Sequence, residues 1–215
     1  MIERKINLPL YVLAFVITII IFGIGVYFGS VIDNSNNQNI KNDVSDLSNK
    51  IYATQMLLLS DDKEIACVAL KEQLNSFDSQ INDVGQKLSY LENSRSAVDN
   101  ELKKQYFILE TNSYLLSKKQ NSNCNFTNSK KDVLILYFYS NKNCENCVKQ
   151  GVELTEARTS FNGTRTYSFD GDLNSPVADA LKNKYNVTSY PTIVINDRVL
   201  SGYYSKDQLI SEFKK

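Results

Sequence analysis

Residues 133–147 read VLILYFYSNKNCENC, and the order of residue types within them decides the fold of the C-terminal third. Val133–Tyr139 is a nearly continuous apolar and aromatic run, as expected of a strand buried on both faces. Ser140-Asn141-Lys142-Asn143 forms the following loop, and Cys144-Glu145-Asn146-Cys147 opens a helix that carries Val148, Val152, Leu154 and Ala157. Working outward, Thr164–Asp170 has the pattern of a second strand and Pro176–Tyr185 that of a helix with Val177, Ala180 and Leu181 facing inward. Residues 192–196 and 199–203 pair as a hairpin around Asp197-Arg198, and residues 205–213 close with a helix. The order is β-α-β-α-β-β-α around a central mixed sheet.

A CxxC pair at the end of a buried strand and the start of a helix has a mechanical rationale. Free amide N–H groups and the helix dipole favour a thiolate at the first cysteine. The second cysteine, one turn on, is placed to resolve a mixed disulfide by intramolecular attack. Zinc sites also use CxxC, but a four-cysteine site here would have to recruit Cys67 and Cys124 without a second CxxC. No metal and no cofactor is expected.

Two motifs, LYFYSNKNCENC and YNVTSYPTIVIN, make residues 130–215 resemble the thioredoxin-like superfamily. The resemblance implies a thioredoxin-like α/β fold and redox activity at Cys144 and Cys147. It also makes Pro191 the cis-proline of a loop beside the CxxC, with Tyr190 and Thr192 flanking a substrate. That loop, in the family, blocks metal capture and offers backbone pairing to a substrate strand. Departures are visible. Asn143 stands where a Trp usually precedes the first cysteine, and the loop is one residue longer than in common thioredoxins. The buried acid that assists the resolving thiol would fall near Tyr137. The approach to Cys144 has some likeness to glutaredoxins, but Glu145-Asn146 replaces their usual dipeptide. The Glu145 carboxylate opposes a thiolate at Cys144, with Lys142 as a partial offset.

Composition narrows the chemistry further. Lys+Arg and Asp+Glu are equal at 24 each, which gives no electrostatic reason for a nucleic-acid partner. The absence of His removes imidazole ligands, His general bases and triads built on them. The reactive thiols are Cys67, Cys124, Cys144 and Cys147. Three Asn-x-Thr triplets, at Asn125, Asn162 and Asn186, are glycosylation acceptors in an exported chain or chance products of an Asn-rich one.

Upstream, the apolar positions Ile40, Val44, Leu47, Ile51 and Leu58, with Thr54 as a polar member, alternate in steps of four and three as in a coiled-coil seam. Asp61 with Glu64 marks a helix restart. Leu70, Leu74, Phe77, Ile81, Val84, Leu88 and Leu91 continue at helical spacing, and Ser96 with Asp99 marks another restart before Leu102, Tyr106, Leu109 and Leu116. Residues 40–125 are therefore expected as an α-helical hairpin or coiled-coil region, turning near Ser94. Reflection about that turn places Cys67 within about one helical turn of Cys124. A disulfide there would close a loop of roughly 57 residues, worth about 4 kcal/mol in the chain-entropy model; two buried free thiols are the alternative. Gly85 inside the helix marks a close helix approach. The region suits a spacer or self-association through its seam.

At the N-terminus, Leu10 to Ile32 run without a charge. About 23 residues at 1.5 Å rise match a hydrocarbon core of about 30 Å, so residues 1–32 are expected to hold a transmembrane helix rather than a cleaved signal peptide, followed by a polar linker at 33–39. Arg4 and Lys5 before the span put the N-terminus in the cytoplasm and the remainder outside it, where structural disulfides persist. The expected protein is a single-pass, membrane-anchored extracytoplasmic thiol-disulfide oxidoreductase acting on protein thiols and disulfides. The competing reading is a non-catalytic assembly protein with a static Cys144–Cys147 staple.

Overall fold

The computed structural model describes residues 8–57, 63–95, 100–124 and 131–215. The chain divides into two units, Met1–Asp43 and Val44–Lys215.

The first unit is helical from Leu8 onward. This helix, α1 (Leu8–Leu57), continues into the second unit. Among the described residues no helix is long and apolar enough to cross a membrane, which corrects the expectation of a transmembrane helix over residues 10–32. The side chains described in that run are those of residues 13–27. The side chains of residues 10–12 and 28–32 lie outside the described residues. Nor does the polar stretch 33–39 interrupt the helix. Asn, Ser and Asp are weak helix formers at roughly 0.7 kcal/mol each, yet extending an existing helix is far easier than starting one.

In the second unit, α2 (Lys63–Arg95) and α3 (Asn100–Asn123) run antiparallel. The seam positions Val44, Leu47, Ile51, Leu70, Leu74 and Phe77 are buried within the single chain, so its own helices cover this surface. Lys50 on α1 reaches Gln80 on α2 at 3.1 Å. Gly85 has the role its position suggested: a Cβ there would sit 2.6 Å from the Tyr106 hydroxyl of α3. The two restart signals, Asp61 with Glu64 and Ser96 with Asp99, involve residues 61 and 96–99, outside the described residues.

The α/β part comprises β1 (Val133–Tyr139), α4 (Glu145–Ser160), β2 (Thr164–Asp170), α5 (Pro176–Tyr185), β3 (Thr192–Ile195), β4 (Arg198–Ser201) and α6 (Lys206–Phe213). The strands form one sheet in the order β2-β1-β3-β4. β1 is parallel to β2 and antiparallel to β3, and β3 is antiparallel to β4. Strand β1 is central and buried on both faces, as its unbroken apolar run requires. Val133, Ile135 and Tyr137 join Leu154, Ala157, Leu209 and Phe213 in the core on the α4–α6 side. On the opposite side α3 and α5 cover the sheet: Phe107 meets Phe169 edge-on at 5.6 Å and Tyr114 meets Tyr167 at 5.7 Å. Each such fully buried side chain contributes about 1.5–3 kcal/mol.

Helix α3 thus serves two layers, packing on α2 and on the sheet. This explains why polar residues such as Ser113, Ser117 and Gln120 are buried on it; Ser117 shares a hydrogen bond of 2.8 Å with Tyr167. Arg165 of β2, itself buried, ties the layers together. It donates to Asp132 at 2.6 Å, to Asp78 at 2.5 Å, to Asn75 at 2.8 Å and to the Leu74 carbonyl at 3.1 Å.

One helix face differs from the sequence expectation, and a second holds an unexpected polar residue. Helix α5 buries Ala178, Leu181 and Tyr185, not Val177 and Ala180, because the Tyr185 hydroxyl is anchored to Tyr114 at 2.6 Å. Helix α4 buries Cys147, Gln150, Leu154 and Ala157, leaving Val148 and Val152 exposed. Gln150 takes a core position because its amide is matched twice by the Tyr204 backbone, at 2.7 and 3.1 Å.

Candidate redox site

Strand β1 delivers the chain to a short loop, and Cys144 then caps α4. Cys144 and Cys147 form a disulfide with Cα atoms 5.2 Å apart. The two sulfur-bearing residues differ in access: Cys144 is half-buried and Cys147 is 4% exposed. An incoming thiolate therefore meets Cys144 first.

The site is set from several directions. Asp172, just past β2, accepts from the Ser140 hydroxyl at 2.8 Å and from the Asn141 and Lys142 amides at 3.0 and 3.2 Å. One carboxylate thereby shapes the whole loop before Cys144. Asn143 completes the turn with a positive φ of 53°, a conformation Asn tolerates better than most residues. The Ser140 amide donates to Cys147 Sγ at 3.5 Å, a hydrogen bond that would strengthen if the sulfur became a thiolate. Tyr137 donates its hydroxyl to the Cys147 carbonyl at 2.5 Å. Burial pushes the Tyr137 phenol well above its ordinary value, so it remains a donor. Where the sequence comparison looks for a buried acid, this chain has a neutral hydrogen-bond donor.

Glu145, next to Cys144, pairs with Lys149 one turn along at 2.7 Å. That hydrogen bond holds the Glu145 carboxyl below the usual carboxylate range. Lys149 thus offsets the Glu145 charge beside the first cysteine.

The Tyr190–Pro191 peptide is cis. Thr192 lies across from Phe138 in the β1–β3 register, so Pro191 sits at the end of the sheet from which the loop to Cys144 departs. The hydroxyl of Thr192 is bonded to the Ser189 carbonyl at 2.7 Å and its side chain is fully buried. It shapes the loop from inside, whereas Tyr190 remains half-exposed. A Cβ on Gly171 would overlap the Tyr190 ring, so the absence of a side chain at 171 lets the proline loop approach the end of β2. Of the remaining predicted site residues, Cys67 and Cys124 form a second disulfide, Cα to Cα 5.6 Å and 57 residues apart. It closes the open end of the α2–α3 pair, whereas the CxxC follows the far end of β1. Among the described residues no group of three or more His, Cys, Asp or Glu could hold a metal ion.

Sequence reasoning missed Asp172, the Tyr137 hydrogen bond and a buried cluster on α3. Lys103 pairs there with Asp170 at 2.5 Å, and Asn141 reaches the same carboxylate oxygen at 2.9 Å. Tyr106 donates to Glu110. Burial pushes Glu110 up to about 8. The Asp170-Gly171-Asp172 run after β2 was the available signal for the loop clamp; nothing local marked Glu110.

The strand order, the mixture of parallel and antiparallel pairings and the CxxC–cis-proline juxtaposition define a thioredoxin-like fold. Solved structures similar to the chain include a malarial protein (28% identity, covering 39% of this chain and 94% of that one, TM-score 0.32). A second is thioredoxin-2, a component of malaria parasite protein secretion machinery (29%, 42% and 88%, TM-score 0.33). A third is chloroplastic thioredoxin z (22%, 39% and 76%, TM-score 0.33). No family model matches the chain, and no curated protein matches it.

Proposed function

We propose that the protein is a thiol-disulfide oxidoreductase acting on protein thiols through Cys144 and Cys147. The observation that carries this reading is the asymmetry of the pair: an accessible Cys144 at a helix N-terminus, disulfide-bonded to a buried Cys147 whose sulfur accepts the Ser140 amide. A substrate thiolate attacks Cys144 Sγ, the Cys144–Cys147 bond breaks, and Cys147 leaves as a thiolate stabilised by that amide. A second substrate thiolate then attacks the substrate sulfur of the mixed disulfide and releases Cys144. Two electrons and two protons pass to the protein, and the substrate leaves as a disulfide. The reverse sequence reduces a substrate disulfide. In this reading Tyr190 and Pro191, at the sheet end from which the loop to Cys144 departs, hold the substrate chain. An extracytoplasmic location belongs to this reading and is supported by the long-range Cys67–Cys124 disulfide, a bond type that persists in oxidising compartments.

The test is a titration of the full chain against a glutathione redox buffer, with each thiol read by alkylation and mass spectrometry. A reversible two-electron transition confined to Cys144 and Cys147, with Cys67–Cys124 remaining closed, is expected. Alkylation of Cys144 only after unfolding would instead make the pair a static staple and the protein an assembly module.

A further inference from the structure

Strand β2 has a free edge, and the space beside it is shaped. The Val133 amide donates to the Gly163 carbonyl and the Gly171 amide to the Tyr139 carbonyl. In a parallel pair this parity directs the backbone groups of Arg165, Tyr167 and Phe169 to β1 and those of Thr164, Thr166 and Ser168 outward. β2 is terminal in the sheet order, and no described strand pairs with its outer side. Along that edge runs a groove of about 780 Å³, walled by α2 and α3 on one side and α4 on the other.

Three independent features mark the groove as built to receive something. First, two buried polar atoms lining it, Glu110 Oε2 and Thr166 Oγ1, have no hydrogen-bond partner. Glu110 is only 2% exposed, and an unpaired buried polar group costs about 1–3 kcal/mol. Burial keeps Glu110 largely protonated near neutral pH, which leaves its carboxyl a hydrogen to donate. Second, Gly151 lies inside α4, where Gly is about 1 kcal/mol worse than Ala. Nothing within 4 Å of a Cβ at 151 requires the space, yet Gly151 lines the groove. Third, Val148, 73% exposed, gives the α4 wall an apolar surface, while Asn82, Gln86 and Ser89 make the α2 wall polar. Ser140, Asn141 and Cys147 also line the groove, which puts it next to the buried half of the redox pair.

From this geometry we infer that the groove binds an extended peptide segment of the thiol substrate, which adds as a strand to the outer edge of β2. Its backbone pairs with Thr166 and its carbonyl groups approach Glu110 Oε2 and Thr166 Oγ1. Its side chains alternate, apolar toward Val148 and polar toward α2. The absence of a side chain at Gly151 leaves room for the incoming backbone. As a substrate-docking site the groove rests on the redox reading above; as a peptide-binding site it can be tested without that reading.

The probe is a fluorescein-labelled, cysteine-free octapeptide of alternating Val and Thr flanked by Lys, titrated with the oxidised full chain and read by anisotropy. Binding that weakens at least tenfold in Gly151→Leu, and with a peptide whose central residues are Pro, is expected. Leu at this open helical position improves helix propensity, so lost binding would not arise from a weakened α4. Thr166→Pro removes the outward amide without touching the bonds to β1 and should weaken binding similarly. No binding, or equal binding by the parent chain and Gly151→Leu, overturns the inference. Reduction of Cys144–Cys147 by dithiothreitol is measured alongside in the parent chain. Failure of the parent chain to react there would remove the redox reading, while the anisotropy data would still decide the groove.

Discussion

The two disulfides join the same atoms and do different work. Cys67–Cys124 spans 57 residues and ties the start of α2 to the end of α3; Cys144–Cys147 spans three and constrains almost nothing beyond one helical turn. Loop closure makes the first a stability device. The second lies at a helix N-terminus, with one sulfur accessible, the other buried, and an amide ready for the leaving thiolate. The contrast shows that a disulfide's role comes from what surrounds it and how much chain it encloses.

The sharpest way to break this contrast is to remove one cysteine from each pair. Cys144→Ser should reduce thiol-disulfide exchange by at least about 100-fold, with little change in the urea midpoint, because the short bridge encloses so little chain. Cys67→Ser should do the opposite. A loss of about 4 kcal/mol is expected in urea unfolding, with dithiothreitol reduction of Cys144–Cys147 essentially unchanged in the folded protein. If the two variants exchanged phenotypes, the division between staple and active pair would fail.

The neighbourhood of the redox site can be sharpened by pH. Glu110 keeps its proton in the folded state up to about 8, whereas an unfolded chain releases it near the ordinary glutamate value. The folded state therefore holds more protons between those values, and stability falls as pH rises through the window, by up to about 1.4 kcal/mol per pH unit. Glu110→Gln should flatten this dependence in urea unfolding at pH 5 and pH 8. A smaller effect is expected of Tyr137→Phe. Loss of the bond to the Cys147 carbonyl should cost about 1 kcal/mol and alter the alkylation rate of reduced Cys147, while that of Cys144 stays the same.

The parts of the fold that were legible in advance depend on local pattern. The unbroken run 133–139 can only be satisfied by a strand covered on both faces, and the loop and CxxC that follow specify a helix start. The same periodicity that marked α5 misassigned part of its buried face, and nothing in the pattern of α4 pointed to a buried Gln150. Tyr185 rather than Ala180 takes a core position, and Gln150 is buried on α4, because those side chains found hydrogen-bonding partners on α3 and on the loop after β4. Charge-free length at 10–32 suggested a transmembrane helix, and the structure corrects it.

The sequence by itself determined the α/β order and the CxxC at a helix start, because these follow from patterns among residues near one another along the chain, while the proline loop was legible only through the resemblance to the thioredoxin-like superfamily. Tertiary structure alone decided that α3 roofs the sheet, that Asp172 shapes the approach to Cys144, and that one carboxyl oxygen of Glu110, Oε2, is buried without a partner beside an open strand edge. Those outcomes depend on partners 30 to 90 residues away, such as Asp172 with Ser140 and Arg165 with Asn75. Their pairing exists only after the chain has excluded water from the space between them, and no local pattern encodes it.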